Sequence, residues 1–238
     1  MLYIVATPIG NLEDMTLRAI RTLKEVDLIA AEDTRNSGIL LKKYEIKTRL
    51  TSFHAFSDVK KLEEIIAMLQ EGKNVALISD AGTPGISDPG FVLIRAARAA
   101  GIKVVPMPGP SAFLTALSAS GLPINHFLYL GFLPMKKGRQ TMLKKLQDEE
   151  NTVVFYESPH RIVKTLKEFS EYFPGRKLVV ARELTKIYEE FAEGSAAELY
   201  TYFSQKTPKG EFVVIMEGKD KRAERHGENE DASDTDEF

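Results

Sequence analysis

Three Gly- and Pro-bearing segments hold the densest chemistry in this sequence: 80–90 (Asp-Ala-Gly-Thr-Pro-Gly-Ile-Ser-Asp-Pro-Gly), 6–14 (Ala-Thr-Pro-Ile-Gly-Asn-Leu-Glu-Asp) and 106–112 (Pro-Met-Pro-Gly-Pro-Ser-Ala). Each follows a short apolar run and precedes a helical pattern. In a parallel sheet, ligands bind beyond the carboxyl ends of the strands, so three such connections would gather at one ligand-binding edge. Glycines let backbone approach a ligand closely, and prolines stiffen the connection. A plain turn with an N-cap at Asp88 accounts for the first segment about equally well. The spacing is neither Gly-x-x-x-x-Gly-Lys-Ser/Thr nor Gly-x-Gly-x-x-Gly, so a nucleotide phosphate or a dinucleotide is not indicated.

Charged residues cluster where other apolar runs end. Glu32-Asp33-Thr34-Arg35 pairs two carboxylates that would serve as base or hydrogen-bond acceptor, or simply as a helix N-cap with surface charge. Further along lie 155–161 (Phe-Tyr-Glu-Ser-Pro-His-Arg) and 181–186 (Ala-Arg-Glu-Leu-Thr-Lys). There, ion pairing of Arg161 and Glu183 competes with a role in a site, and His160 reads first as a helix-start residue. Lys136, Lys137 and Arg139, with Lys144 and Lys145, form a basic cluster that fits phosphate contact or a solvated helix face.

Composition excludes several classes. There is no Cys, which removes disulfides and thiolate metal sites, and the four His residues lack zinc-binding spacing. No apolar run reaches the roughly 20 residues of a membrane helix, and the N-terminal run is strand-sized rather than a signal peptide; a cytoplasmic protein is the expectation. Of 32 basic and 34 acidic residues, 219–238 hold four and eight, leaving 28 and 26 in the first 218. Nucleic-acid contact would therefore rely on local patches.

The elements that must position these residues follow from periodicity. Apolar runs predict strands over 2–6, 27–31, 49–53, 75–79, 103–106, 127–131, 152–156, 178–181, 188–192 and 212–217. Helical spacing predicts helices over 16–24, 60–69, 91–100, 111–120, 140–146, 160–172 and 196–203. The alternation implies α/β architecture with mainly parallel sheets and some antiparallel pairs among the later strands. Gly121-Leu122-Pro123 marks the expected boundary between an α/β domain over 1–120 and a second, mixed-sheet α/β domain over 121–218; the charged 219–238 segment is expected to be disordered.

Taken together, Thr-Pro-Ile-Gly-Asn-Leu-Glu-Asp, Ala-Glu-Asp-Thr-Arg, the 79–90 stretch, Pro-Gly-Pro-Ser-Ala, Phe-Tyr-Glu-Ser-Pro-His-Arg, Ala-Arg-Glu-Leu-Thr-Lys and Lys-Gly-Glu-Phe-Val resemble the tetrapyrrole methylase superfamily, in its ribosomal-RNA-modifying branch. The resemblance runs from Leu2 to about Gly218. It implies a class III S-adenosylmethionine-dependent methyltransferase of two α/β domains, cofactor in the inter-domain cleft, and a homodimer. It also implies 2′-O-methylation of a cytidine ribose in the decoding region of 16S ribosomal RNA, without a metal. Carried over, the cofactor-binding residues would be Ile9, Asp80, Gly82, Thr83, Ser111 and Ala112, with Tyr156, Gly210, Glu211 and Phe212 closing over the adenosine. Asp33 and Glu183 are the expected base candidates and Lys186 an anchor at the reacting ribose. Arg35, Lys136, Lys137, Arg139 and Arg161 are the expected RNA contacts. Similar proteins often continue into a small helical segment where this chain has its acidic tail. Superfamily members that methylate tetrapyrroles usually carry a Gly-x-Gly-x-Gly first loop, absent at Thr7-Pro8-Ile9-Gly10-Asn11; a protein side chain is another substrate for such a relative. A non-catalytic ribosome-assembly factor of the same fold is a further alternative.

Overall fold

The computed structural model describes residues 1–54 and 59–219, so the expected disordered tail lies, from residue 220 onward, outside the described residues. The chain divides into two compact units, Met1–Thr115 and Ala116–Phe238, ahead of Gly121-Leu122-Pro123.

The first unit is built on β1 (Leu2–Val5), β2 (Leu28–Ala31), β3 (Leu50–Ser52), β4 (Val75–Ile78) and β5 (Val104–Met107). They form one sheet in the order β3-β2-β4-β1-β5, every pairing parallel. Strands β2 and β4 are buried at every residue, as a sheet covered on both faces requires. Helices α1 (Leu17–Glu25) and α2 (Thr34–Lys43) cover one face, where Leu23, Leu40 and Leu41 pack on Val5, Ile29, Ala31 and Ile78. Helices α3 (Val59–Gln70) and α4 (Gly90–Ala99) cover the other, where Ile65, Leu69, Leu93 and Ala97 pack on Leu2, Ile4, Ala30 and Leu77. Residues alternate between the two cores along each strand, the period-2 pattern of a pleated sheet. Helix α5 (Ala112–Ala119) follows β5.

The chain leaves β1 toward β2 through α1 and leaves the adjacent β4 toward β5 through α4, on opposite faces. That reversal is the place in an open α/β sheet where a ligand crevice forms beyond the strand ends.

Helix α2 is not expected from periodicity. Its Thr-Arg-Asn-Ser-Gly start has poor helix propensity. It forms because Asp33 caps it, the side chain accepting from the Arg35 N–H, and because Leu40 and Leu41 are buried.

In the second unit, β6 (Phe127–Phe132), β7 (Thr152–Glu157), β8 (Lys177–Arg182), β9 (Glu190–Ser195) and β10 (Phe212–Met216) order as β6-β7-β10-β8-β9. Only β6 and β7 are parallel; the other three pairings are antiparallel, the mixed sheet expected from the shorter links. Helices α6 (Arg139–Leu146), α7 (Ile162–Tyr172) and α8 (Ala196–Ser204) pack on one core with Phe155, Val180, Phe212 and Val214. Strand β9 begins two residues later than periodicity predicts. Residues 183–189 are held in a tight loop with Glu183 and Thr185 left-handed, and the Thr185 N–H donates to Glu189.

Candidate functional site

Four connections meet at the carboxyl edge of the first sheet. Beyond β1, Thr7 exchanges two backbone hydrogen bonds with Gly82 beyond β4, both 2.9 Å, and its hydroxyl donates to the Ser79 carbonyl at 2.9 Å. The Ser79 hydroxyl donates to the Gly82 carbonyl at 3.1 Å. Thr83 donates to the Pro110 carbonyl beyond β5 at 3.0 Å. Gly109 presses on β1's exit so closely that a Cβ there would sit 2.8 Å from the Ala6 Cβ. This contact, closer than real Cβ atoms make, gives Gly109 a physical reason.

The fourth connection joins through Asp80. Its carboxylate accepts from the Asp33 N–H at 3.0 Å and from the Asn36 amide at 2.9 Å, tying β4's exit to the start of α2. Asp88 holds the far end of the 80–90 loop by accepting from the Gly85 and Gly90 N–H groups at 2.8 and 2.7 Å. Ile9 and Ser111 are buried beside these connections, and Ala112 opens α5. The three segments expected to gather at one edge therefore do so, with the 32–36 segment as a fourth.

The edge is acidic. Burial, reinforced by the charges of Asp80, Asp88 and Asp33, pushes the Glu32 carboxyl above its ordinary range. Asp33 behaves oppositely: its bond to the Arg35 guanidinium holds it down at about 2. Of these two adjacent carboxylates Asp33 is the expected base; the one whose environment favours a proton is Glu32. The signal that separates them, the proximity of Asp80 and Asp88, is a tertiary one.

In the second unit, Tyr156 sits at the end of β7 with its ring 5.6 Å from both Tyr129 and Phe132. Glu183, Lys186 and Glu211 form one network. Lys186 donates to Glu183 at 2.9 Å and to Glu211 at 2.8 Å, and the Glu211 N–H donates to Glu183 at 3.1 Å. Burial alone would raise the Glu183 carboxyl, but Lys186 and the Glu211 N–H overcome it and hold it below its ordinary range. Burial likewise opposes the charge on Lys186, which the two carboxylates nevertheless raise. Gly210, at φ +90°, lies against Glu183, where a Cβ would come within 2.3 Å of the carboxylate. Phe212 is buried in the core, edge-on to Phe203 at 5.7 Å.

The expected RNA contacts separate into two groups. Lys136 and Lys137 are exposed, and Arg35 keeps most of its side chain in solvent while paired with Asp33. Arg139 is buried and donates to Glu168 at 2.7 Å, Thr165 at 2.8 Å and the Pro134 carbonyl at 3.1 Å. Arg161 pairs with the fully buried Glu157 carboxylate at 3.2 Å and donates to the Leu133 carbonyl at 2.7 Å. These two arginines hold the second unit together through a chain that runs Glu168–Arg139–Thr165–Glu157–Arg161. Among the described residues there is no group of three or more His, Asp or Glu arranged for a metal, and no helix long and apolar enough to cross a membrane.

Comparison with known proteins gives concordant results. Residues 1–200 match the family model of tetrapyrrole (corrin/porphyrin) methylases. The chain is 48% identical to ribosomal RNA small subunit methyltransferase I of Thermotoga maritima, over 92% of this chain and 99% of that protein. It is 51% identical to the protein of the same name from Escherichia coli O157:H7, over 91% of this chain and 77% of that protein. Among solved structures, a cobalamin biosynthetic enzyme, cobalt precorrin-4 methyltransferase, superposes with a TM-score of 0.69 at 16% identity, covering 91% of this chain and 94% of that one.

Proposed function

Because this chain belongs to the tetrapyrrole (corrin/porphyrin) methylase family, we propose that it transfers a methyl group from S-adenosylmethionine to the 2′-oxygen of a cytidine ribose in the decoding region of 16S ribosomal RNA. The observation that carries the reading is the near-half identity, over more than nine-tenths of the chain, to relatives named as small-subunit ribosomal RNA methyltransferases. The family likeness alone would leave the substrate open between tetrapyrrole and RNA.

The first unit's edge suits the cofactor chemically. S-adenosylmethionine carries a sulfonium and an ammonium, and the edge presents Glu32, Asp80 and Asp88. Backbone comes close at Gly82 and Gly109, and Ser111 offers a buried hydroxyl. Ile9, Asp80, Gly82, Thr83, Ser111 and Ala112 are the proposed holding residues. Tyr156 and the backbone of the Gly210-Glu211-Phe212 segment are the second unit's proposed adenosine contacts; the Phe212 ring itself belongs to the core. When bound, the cofactor supplies an electrophilic methyl carbon.

The protein's part is position and electrostatics. Alignment of the attacking hydroxyl can supply up to about 7–11 kcal/mol. A general base adds typically 10²–10⁴-fold. Asp33 or Glu183 is the proposed carboxylate at the reacting hydroxyl, with Lys186 or Arg35 anchoring ribose or phosphate and Lys136 and Lys137 meeting the RNA backbone. A cytoplasmic location belongs to this reading, supported by the ribosomal substrate. A homodimer is part of the same reading, supported by the solvent-exposed apolar side chains of Phe91 and Val92 on α4.

Mass mapping of ribose methylation on small-subunit RNA, with and without the protein, tests the assignment. A single additional 2′-O-methyl mark in the decoding region is expected; an unchanged map with active cofactor binding refutes it.

A further inference from the structure

Lys136, Lys137, Arg139, Lys144 and Lys145 form one basic cluster. The structure shows another, in the first unit. The outer side of α2 carries Arg35, Ile39, Lys42 and Lys43, spaced i, i+4, i+7 and i+8 and therefore on one face; all four are exposed. The following turn adds Lys47 and Arg49, also exposed, before β3 begins at the edge of the sheet. Over 35–49 there are five basic residues and one acidic, Glu45.

Two properties mark this surface. Lys42, Lys43, Lys47 and Arg49 have no ion-pair partner among the described residues, whereas Arg139 and Arg161, two of the expected RNA contacts, are paired. The turn is also rigid. Glu45 is left-handed at φ +54°, a conformation that costs a non-glycine residue free energy and persists only where surroundings impose it. They do: Tyr44 donates to the Leu12 carbonyl, Thr48 to the Leu23 carbonyl at 2.6 Å, and the Ile46 N–H to the Leu41 carbonyl at 2.9 Å. The helix dipole accounts for cations at Lys42 and Lys43. It does not account for Lys47 and Arg49, which lie beyond the helix.

We propose that this face, from Arg35 along α2 to Lys42, Lys43, Lys47 and Arg49, is a phosphate-binding track for the RNA substrate. Helix α2 is capped by Asp33, beside Asp80 at the cofactor edge, and its 10 residues carry the track about 15 Å away from it. The track thus grips RNA flanking the methylated nucleotide, and Ile39 between the cations offers apolar contact to a sugar or base. Lys42, Lys43, Lys47 and Arg49 lose no protein partner on meeting phosphate, whereas Arg35 would exchange its pairing with Asp33, and binding there releases counterions from the RNA. The inference rests on the RNA substrate proposed above.

The test is the salt dependence of binding to 30S subunits, by filter binding from 50 to 200 mM salt, for the parent chain and a Lys42→Gln/Lys43→Gln/Lys47→Gln variant. Three lost phosphate contacts lower the slope of log K against log salt by about 2–3. The parent's advantage over the variant then shrinks by about 20- to 40-fold across that range. Lys103→Gln, ahead of β5 at the other sheet edge, leaves the slope unchanged. S-adenosylmethionine binding by calorimetry and the thermal midpoint report whether the variant is folded. If it is not, Lys47→Gln alone, outside the helix, carries the test with a slope change of about 0.7–0.9. A parent that binds 30S subunits with variants of identical slope overturns the track and leaves the substrate assignment standing. A parent with no affinity for 30S subunits overturns the assignment itself, and the track with it.

Discussion

Arg139 was expected at the RNA and the structure buries it, so its substitution separates two roles. The side chain is 8% exposed and makes three polar contacts, to Glu168, Thr165 and the Pro134 carbonyl. Hydrogen bonds to charged groups contribute about 1.5–3 kcal/mol each. Not all of that is lost in Arg139→Met. Glu168 is a quarter exposed and regains water, and Thr165 keeps its bond to Glu157. Met retains most of the aliphatic stem, so cavity formation adds little. The remaining cost is about 3–4 kcal/mol, at the lower end of what removing one partner of a buried pair costs. At about 2–4 °C per kcal/mol for a chain of this size, the thermal midpoint falls by about 6–16 °C. Thermal unfolding followed by circular dichroism at pH 7 measures this, alongside the KM for 30S subunits. A midpoint within about 2 °C of the parent together with a raised KM would refute the buried role and return Arg139 to the RNA.

Asp80→Ala cuts the tie between β4's exit and the start of α2; loss equivalent to one charge-assisted bond, about 1.5 kcal/mol, weakens S-adenosylmethionine binding roughly tenfold in calorimetry, and unchanged affinity contradicts the role. Gly210→Ala forces a left-handed alanine against Glu183, lowering stability by about 1–3 kcal/mol in urea titration. The Glu183 carboxyl, held low, contributes stability that is complete above its ordinary 4.5 and is lost as pH falls through its folded value; Gly210→Ala reduces that acid-side loss, and an unaltered acid limb counts against the network. Glu32 carries the opposite sign. Its raised pKa favours the folded state below 4.5, and that advantage disappears as pH rises through the folded value. Glu32→Gln is therefore more stable than the parent at pH 7 but not at pH 4, and a constant difference across that range disproves the raised carboxyl that burial and the neighbouring carboxylates produce.

Most of the fold is legible in the sequence because its strands are short apolar runs between strong Gly and Pro breaks. The convergence of the 6–14, 80–90 and 106–112 segments follows from one rule of parallel sheets. Helix α2 escapes because neither composition nor an apolar stripe announces it; capping and burial of two leucines decide it. Missing α2 hides the basic face it carries, since Arg35, Ile39, Lys42 and Lys43 align only on a helix. The fates of Arg139 and Arg161 were equally hidden. Their partners Glu168 and Glu157 lie 29 and four residues away, and nothing local distinguishes a buried arginine from a surface one.

The ionisation pattern also constrains how the proposed reaction is accelerated. A base works best when its pKa lies near the operating pH. Asp33, at about 2, and Glu183, held down by Lys186, lie below neutrality, so whichever of them meets the proposed hydroxyl would act mainly as a fixed hydrogen-bond acceptor that orients it. Glu32, pushed up by burial and three neighbouring carboxylates, is the strand-end group at this edge with greater proton affinity, yet its environment is also the one that suits a cationic methyl donor. A bound sulfonium beside Glu32 would offset part of the burial and repulsion that raise its carboxyl and shift it back down. On the proposed reading, the acid edge serves the donor's charge first. Acceleration then falls chiefly on alignment, whose possible share of about 7–11 kcal/mol exceeds the roughly 3–5 kcal/mol that a 10²–10⁴-fold base effect represents.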